Sequence, residues 1–369
     1  MIHVLQIVPE LNPSGGIENV LMNYYRAIDR TRFQFDFVTH SIVDDAYAKE
    51  AESLGAHVCL MPKFTPQAFP RIEAKFAAVM RSQRYDVVHC NMANAAFLYL
   101  QMAKKAGIDK RILHGHMIQY ADVWTHSVRN VPLVAWGKRY TNIRLACSKA
   151  AGDFLFGSKP YTILPNAIDL DKYKFSEAMR RAKRAELGLT DDQFAICDVG
   201  RLTPVKNQQF LVSLMPQILR RVPNAVLFIV GTGYLLAQLQ QQADSIGVAG
   251  HIRFLGIRTD LNELYSAMDC FVLPSICEGL SESLVEAQIA GLPCFVSIGV
   301  PRESQISDSC QFLDCANQTD WLNKIDQAAQ DYAKKDVVAM NRLAGFEAAQ
   351  GTTYNINQTV NILENIYAR

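Results

Sequence analysis

The chain has 369 residues, 49% of them hydrophobic and 20% charged, with a formal net charge of +1. That length favours two hydrophobic cores over one, and the composition is that of a folded globular protein rather than a disordered or fibrous one. The balanced charge excludes a broad electrostatic footprint for nucleic acid.

The opening Met1–Glu10, M-I-H-V-L-Q-I-V-P-E, reads as a strand over residues 2–8 and lacks the basic, apolar and small-residue regions of a signal peptide. No stretch offers the ~20 uninterrupted apolar residues that span a bilayer. A loop with Gly15 and Gly16 follows, then a helical period over residues 17–28. Glycines at a strand-to-helix turn let backbone approach a ligand, and the helix start behind them favours an anion; a plain flexible turn explains the pair equally well. Phe33, Phe35 and Phe37 alternate as a second strand. Later strands are expected at 86–90, 111–114 and 144–147, with helices at 45–54 and 93–105 between them. Strands alternating with helices of this size imply parallel βαβ units.

The pattern recurs in the second half, with strands expected at 194–199, 225–230, 251–255, 270–273 and 293–297. Residues 165–183, rich in charge and turn formers, suit an interdomain linker. The expectation is an α/β chain of two doubly wound domains, 1–164 and 165–352, facing a central cleft. The helix near 353–369 is a candidate to complete the first. Nine scattered cysteines without a C-x-x-C pair, several inside aliphatic runs (Cys59, Cys197, Cys294), read as reduced buried thiols and point to the cytoplasm.

In such sheets ligands bind beyond the carboxyl ends of the strands. There the second half places V-G-R-L-T-P-V-K-N, whose Arg201 and Lys206 can take phosphate as a fork and a point charge. A cation at a helix N-terminus is otherwise unfavourable, which tilts the reading from solvated surface charges toward an anionic ligand. Farther on, C-E-G-L-S-E-S-L-V-E runs from a buried strand into a helix. Ser283 and Glu286 match a capping box, an explanation that leaves Glu278, eight residues earlier, unaccounted for. A carboxylate there can hold vicinal sugar hydroxyls while neighbouring amides hold phosphate. The segment Gly231-Thr232-Gly233 lacks the third glycine of a dinucleotide fingerprint, which weakens a dehydrogenase reading.

Two metal readings arise. His114 and His116, two apart at a strand end, could join His89 around zinc, but no companion carboxylate or thiolate spacing supports them; a core or loop histidine competes. Asp169-Leu170-Asp171 has D-x-D spacing yet sits in the linker, where solvated acids are the simpler reading. Residues 124–144 mix Trp124, Trp136 and Tyr140 with Arg129, Lys138, Arg139 and Arg144. That composition suits either a peripheral anionic-membrane contact or an ordinary helix with a basic face.

The ordered set Gly15-Gly16, A-C-S-K-A-A-G-D-F-L-F-G, L-P-N-A-I-D, V-G-R-L-T-P-V-K-N, E-G-L-S-E-S-L-V-E and E-A-Q-I-A-G-L-P-C resembles the family-4 retaining glycosyltransferases, over nearly all of the chain to about residue 303. R-I-L-H-G-H and A-C-S-K are similar to the branch that builds bacterial exopolysaccharide and capsule. Ala167 stands where the family usually has Gly, and Ser281 with Glu282 replace small or apolar residues, leaving the donor sugar open. The resemblance implies the GT-B fold and transfer without a metal or other cofactor. The donor would be a nucleotide-diphosphate sugar, with UDP the expected carrier, and the acceptor a saccharide, with a polyprenyl-linked one favoured. It implies that Arg201 and Lys206 neutralise the diphosphate, Glu286 holds the ribose and Glu278 a hydroxyl of the transferred sugar. Gly15, Gly16, Gly279, Leu280 and Ser283 would line the donor, and backbone at Ile257 and Arg258 would meet the base. His116 is the implied site histidine, with His114 the fallback. A sugar-nucleotide epimerase of the same fold and a non-catalytic nucleotide-sugar-binding protein are the rival classes.

Overall fold

A computed structural model describes residues 1–13, 16–117 and 124–369, and of residues 124–127 and 335–339 the backbone alone. The chain separates into two compact units, Met1–Ile168 with Ile356–Arg369, and Asp169–Asn355.

The first unit is built on a seven-stranded parallel sheet: β1 (Ile2–Val8), β2 (Phe33–Thr39), β3 (Val58–Leu60), β4 (Val87–Cys90), β5 (Lys110–Gly115), β6 (Ile143–Ala146) and β7 (Thr162–Ile163). Their order is β3-β2-β1-β4-β5-β6-β7. Side chains alternate across the pleat. Leu5, Ile7, Val38, Val88 and Leu113 therefore pack on one face, with Phe76, Leu98 and Tyr99 from helices Phe69–Ser82 and Ala96–Lys105. Val4, Phe33, Phe35, Val87, Ile112 and Leu145 occupy the other, under helix Gly16–Ala27 and the returning helix Ile356–Ala368, which contributes Val360, Leu363 and Tyr367.

The second unit holds β8 (Phe194–Val199), β9 (Ala225–Val230), β10 (Ile252–Gly256), β11 (Cys270–Leu273), β12 (Cys294–Ser297) and β13 (Cys310–Leu313), all parallel. The order is β10-β9-β8-β11-β12-β13. Strand order reverses between β1 and β4 in one sheet and between β8 and β11 in the other, and loops beyond such a switch point splay apart to leave room for a ligand.

The division between the units falls at 168–169, inside the segment 165–183 read as a linker, but that segment is folded. Ala167 and Ile168 are buried against the first unit, and Tyr24 Oη donates to the Pro165 carbonyl. Residues Leu170–Tyr173 and Glu177–Glu186 are helical. The latter helix starts at Ser176, whose side chain accepts from the Met179 amide. Three of its charged side chains, Arg180, Lys183 and Arg184, are buried. Arg180 and Arg184 are buried on Asp269, at 2.6 and 3.2 Å. Arg180 also donates to the carbonyls of Ser266, Ala267 and Met268, the C-terminal end of helix Leu261–Ala267. All nine cysteines are free thiols, and only Cys277 is exposed.

Candidate active site

Two loops flank the switch point of the second sheet. The first leaves β8 through Gly200, Arg201 and Leu202, makes one 3₁₀ turn at Pro204–Lys206, and enters helix Gln208–Arg221 through Asn207. Asn207 sits at φ 56°, a left-handed conformation that Asn tolerates best after Gly. This turn carries Lys206 back toward the second loop, where its Nζ lies 2.5 Å from Glu278 Oε1. Arg201 is exposed on the same loop.

The loop after β11 is held from several sides. Ile276 N donates to the Val205 carbonyl at 2.7 Å and Glu278 N to the Gly299 carbonyl at 3.1 Å, while Ser297 Oγ donates to the Ser275 carbonyl. A Cβ on Gly299 would lie 2.2 Å from the Ile276 carbonyl oxygen, so only glycine lets the loop after β12 pass so close. Ser275 Oγ then donates to Glu278 Oε1 at 2.6 Å. The carboxylate is thus fixed by one ammonium and one hydroxyl on the same oxygen.

Gly279 and Leu280, both partly exposed, lead to Ser281. The capping-box reading is overturned here. Ser281 rather than Ser283 is the N-cap of helix Glu282–Ile289, its side chain accepting from Leu284 N. Glu286 is therefore the fifth helical residue, too far along to reach a cap amide. It is buried, with Oε1 accepting from Tyr173 Oη at 2.7 Å and Oε2 from Tyr265 Oη at 3.0 Å. Burial raises its pKa, and the two hydroxyls pull it back. Ser283 instead anchors the helix to the end of β8, donating to the Val199 carbonyl at 3.1 Å. Arg201, Lys206, Glu278, Ser283 and Glu286 are thus brought to the two elements that follow β8 and β11.

Arg258 is engaged on the next loop outward. Its Nη2 lies 2.5 Å from Asp260 and 3.0 Å from Glu186, and neighbouring Ile257 is 54% exposed. Among the described residues Glu186, Asp260 and Glu263 converge closely enough to suggest a cation, and Lys183 Nζ already sits 2.6, 2.6 and 2.8 Å from the three. The D-x-D pair is a helix cap: Asp169 Oδ1 accepts from Asp171 N at 3.1 Å.

One residue escaped sequence reasoning. Asp198, on β8, is fully buried. Its Oδ2 accepts from Gln208 Nε2 at 3.1 Å while Oδ1 has no partner. Desolvation pushes its pKa up to about 7, against the pull of Gln208 and Lys206. The signal was a lone acid inside the apolar run F-A-I-C-D-V.

In the first unit, Gly15 lies outside the described residues, and Gly16 is the exposed first residue of helix Gly16–Ala27. The three histidines do meet, but as a stack. His89 and His114 ring centroids are 5.3 Å apart, and those of His114 and His116 3.9 Å. His89 offers Nδ1 to Tyr367 Oη at 2.7 Å and Nε2 to His114 Nδ1 at 3.3 Å. Its nitrogens are therefore spent on neighbours, which corrects the zinc reading. His114 is buried, and His116, one residue past β5, is partly exposed.

A model described as Glycosyltransferase Family 4 matches residues 14–172, and one described as Glycosyl transferases group 1 matches residues 179–343. The Bacillus subtilis (strain 168) protein named "Putative glycosyltransferase EpsF" is 31% identical over 310 residues, covering 81% of this chain and 80% of its own. The UDP-Gal:alpha-D-GlcNAc-diphosphoundecaprenol alpha-1,3-galactosyltransferase of Escherichia coli is 29% identical over 230 residues, 59% of each chain. Among solved structures, Anabaena HepE in complex with UDP and glucose matches with a TM-score of 0.81 at 19% identity, covering 100% of both chains. WaaG, a glycosyltransferase involved in lipopolysaccharide biosynthesis, matches at 0.73 and 16%, covering 97% of this chain and 99% of its own. The structural likenesses show the GT-B fold of two Rossmann-like domains. The chain belongs to glycosyltransferase family 4, the family its ordered motifs resemble, and it is a glycosyltransferase.

Proposed function

We propose that the protein moves a hexose from a UDP-sugar to a hydroxyl of a polyprenyl-linked saccharide, with retention and without a metal, in exopolysaccharide biosynthesis. The observation that carries the donor half is the Lys206–Glu278 pair at 2.5 Å, set beside Arg201 at the switch point of the second sheet. Negative charge grows on the departing diphosphate as the glycosidic bond breaks. Fixed cations stabilise that charge more in the transition state than in the bound donor, and this difference lowers the barrier. Lys206 and Arg201 take the diphosphate, and Glu278 accepts from a hydroxyl of the transferred sugar. Glu286, with capacity left on each oxygen beyond its tyrosine partner, accepts from ribose, while backbone near Ile257 and Arg258 meets the base. In the first unit Gly15 and Gly16 line the donor, and His116 serves the reacting sugar.

The UDP and polyprenyl assignments draw support from the E. coli relative's name and from the UDP in the HepE complex. The exopolysaccharide setting rests on the resemblance of R-I-L-H-G-H and A-C-S-K. A cytoplasmic site with peripheral membrane contact fits the surface around helix Trp124–Gly137, where Val128, Val131 and Trp136 are exposed. Among the described residues no helix is long and apolar enough to cross a membrane.

The test is transfer from a panel of UDP- and GDP-sugars to undecaprenyl-diphosphate-linked acceptors, in excess EDTA. Wild-type protein is expected to use a UDP-hexose with undiminished rate, and Lys206→Ala to lose several orders of magnitude in turnover while its circular dichroism stays native. Near-normal transfer by that variant, or a strict divalent-ion requirement, would sink the assignment.

A further inference from the structure

Several polar groups in the first unit form one unbroken line. Gln6 on β1, His89 on β4 and His114 on β5 point to the same face of the sheet, and Gln6 pairs directly with His89 across the two strands. Helix Ile356–Ala368 lays Tyr367 over them. Gln6 Nε2 donates to Tyr367 Oη at 2.9 Å, and Asn91 Nδ2 to Gln6 Oε1 at 3.2 Å. Asn91 Oδ1 meets His116 Nε2 at 2.9 Å. At the other end Tyr367 Oη meets His89 Nδ1, and His89 Nε2 meets His114 Nδ1. Gln6, His89, Asn91, His114 and Tyr367 are all buried, so no bulk water can repair a mismatch of donors and acceptors.

Each link offers one donor and one acceptor, so the line has a direction, and two directions exist. In one, His116 Nε2–H donates to Asn91, Asn91 to Gln6, Gln6 to Tyr367, Tyr367 to His89 and His89 to His114. In the other every bond reverses, both amides turn over, and His116 carries its proton on Nδ1. The two amides separate them. Asn91 presents Oδ1 to His116 Nε2 and donates from Nδ2 to Gln6 Oε1, and Gln6 donates from Nε2 to Tyr367 Oη. His116 Nε2–H is then the donor at this end, and the first direction follows along the line. Tautomer is the variable that matters, since burial drives His89 and His116 down to about 3 and His114 well below its usual value.

We propose that Asn91 is a positioning residue that holds His116 as the Nε2–H tautomer, leaving its Nδ1 lone pair as the acceptor for a hydroxyl of the reacting sugars. Among the described residues His116 Nδ1 has no hydrogen-bond partner, and a ring nitrogen's protonation is set by the bond its partner nitrogen makes. Asn91 is itself held by its backbone N–H, which donates to the Ile7 carbonyl at 2.9 Å. The inference rests on the reading of His116 as the site histidine.

The experiment is ¹⁵N-histidine NMR of the full chain, with His116→Ala used to assign the His116 signals, alongside kinetics of Asn91→Ala and Asn91→Asp with the donor identified above. Wild-type His116 is expected to show a bare Nδ1 and a protonated Nε2. Asn91→Ala is expected to lose that tautomer, with kcat falling about ten- to a hundred-fold and donor KM changing less than about two-fold. Asn91→Asp places a carboxylate on the imidazole and raises its pKa. Its activity should therefore rise with pH through an ionisation the wild type lacks, a change that a purely structural role would not produce. Among the described residues the titratable side chains along this line are His89, His114 and Tyr367. A wild-type His116 carrying its proton on Nδ1, with His116→Ala inactive, overturns the role of Asn91 alone, and needs no folded Asn91 variant. Wild-type kcat in His116→Ala overturns the site reading and this inference together.

Discussion

Asp198 carries a carboxyl group where no water solvates it, close enough to Lys206 to feel its charge. Its pKa, about 7 in the folded chain against about 4 unfolded, has a stability consequence with a definite sign. The unfolded chain releases this proton at lower pH than the folded one. Stability is therefore highest below about pH 4, falls as pH rises through the window to about 7, and is flat above it, with a ceiling near 4 kcal/mol. Asp198→Asn removes that loss and keeps the acceptor for Gln208. Its urea midpoint should match or trail the wild type at pH 4.5 and exceed it at pH 8; parallel midpoints at both pH values would show that Asp198 ionises freely. At this scale the sequence was legible where chemistry is read from residue type, as for Lys206 and Glu278. It was not legible where a side chain's role depends on distant partners. Nothing near Glu286 in the chain announces that tyrosines 113 residues before and 21 residues before it supply the hydroxyls. Likewise Asn91 and Gln6 meet across 85 positions.

Loops here owe their shape to close backbone contact. A Cβ on Gly231 would stand 2.1 Å from the Gly200 carbonyl oxygen, and Gly231 adopts φ 130°, a conformation that side chains rarely enter. The glycines of Gly231-Thr232-Gly233, which fail as a dinucleotide fingerprint, thus have a packing reason: they seat the loop after β9 against the loop carrying Arg201. Gly231→Ala should displace that loop, destabilising the protein by about 1–3 kcal/mol and raising donor KM by more than about ten-fold. A crystal structure or donor titration matching wild type would count against this packing. Strands β1, β8, β9 and β11 were legible to the residue, because each is a predominantly apolar run between turn formers, the mark of a strand buried on both faces. Strands β3, β7 and β13, all at sheet edges, were missed. They span three, two and four residues, with half-buried or exposed positions in each, so no clear hydrophobic pattern distinguishes them from loop. The segment 165–183, where the chain passes from one unit to the other, was misread as solvated for the opposite reason. Its Arg180 is buried on Asp269 and on helix-end carbonyls, and a buried charge with distant partners looks like a solvated one in sequence.

The two units are interleaved along the chain. Residues 356–369 close the core of the unit that begins at residue 1, while the other unit is a single uninterrupted stretch. Truncation after residue 355 removes Val360, Leu363 and Tyr367 from beneath the first sheet, leaving His89 and Gln6 without the Tyr367 hydroxyl. Losses of about 3–5 kcal/mol per large buried side chain exceed the margin of an ordinary domain. Calorimetry of the truncated chain should show the first unit's transition lost and the second unit's retained; two intact transitions would show that the helix is dispensable. Interleaving also imposes an order of events during synthesis. Domains generally fold in the order in which they emerge. Here residues 169–355 have all emerged, free to fold, while the earlier-made half still waits for its last helix. The newborn chain therefore carries a half-covered sheet for the whole time the second unit is being translated. Chaperone demand should fall on that exposed face, and a substitution in residues 356–369 would be felt first as aggregation of nascent protein.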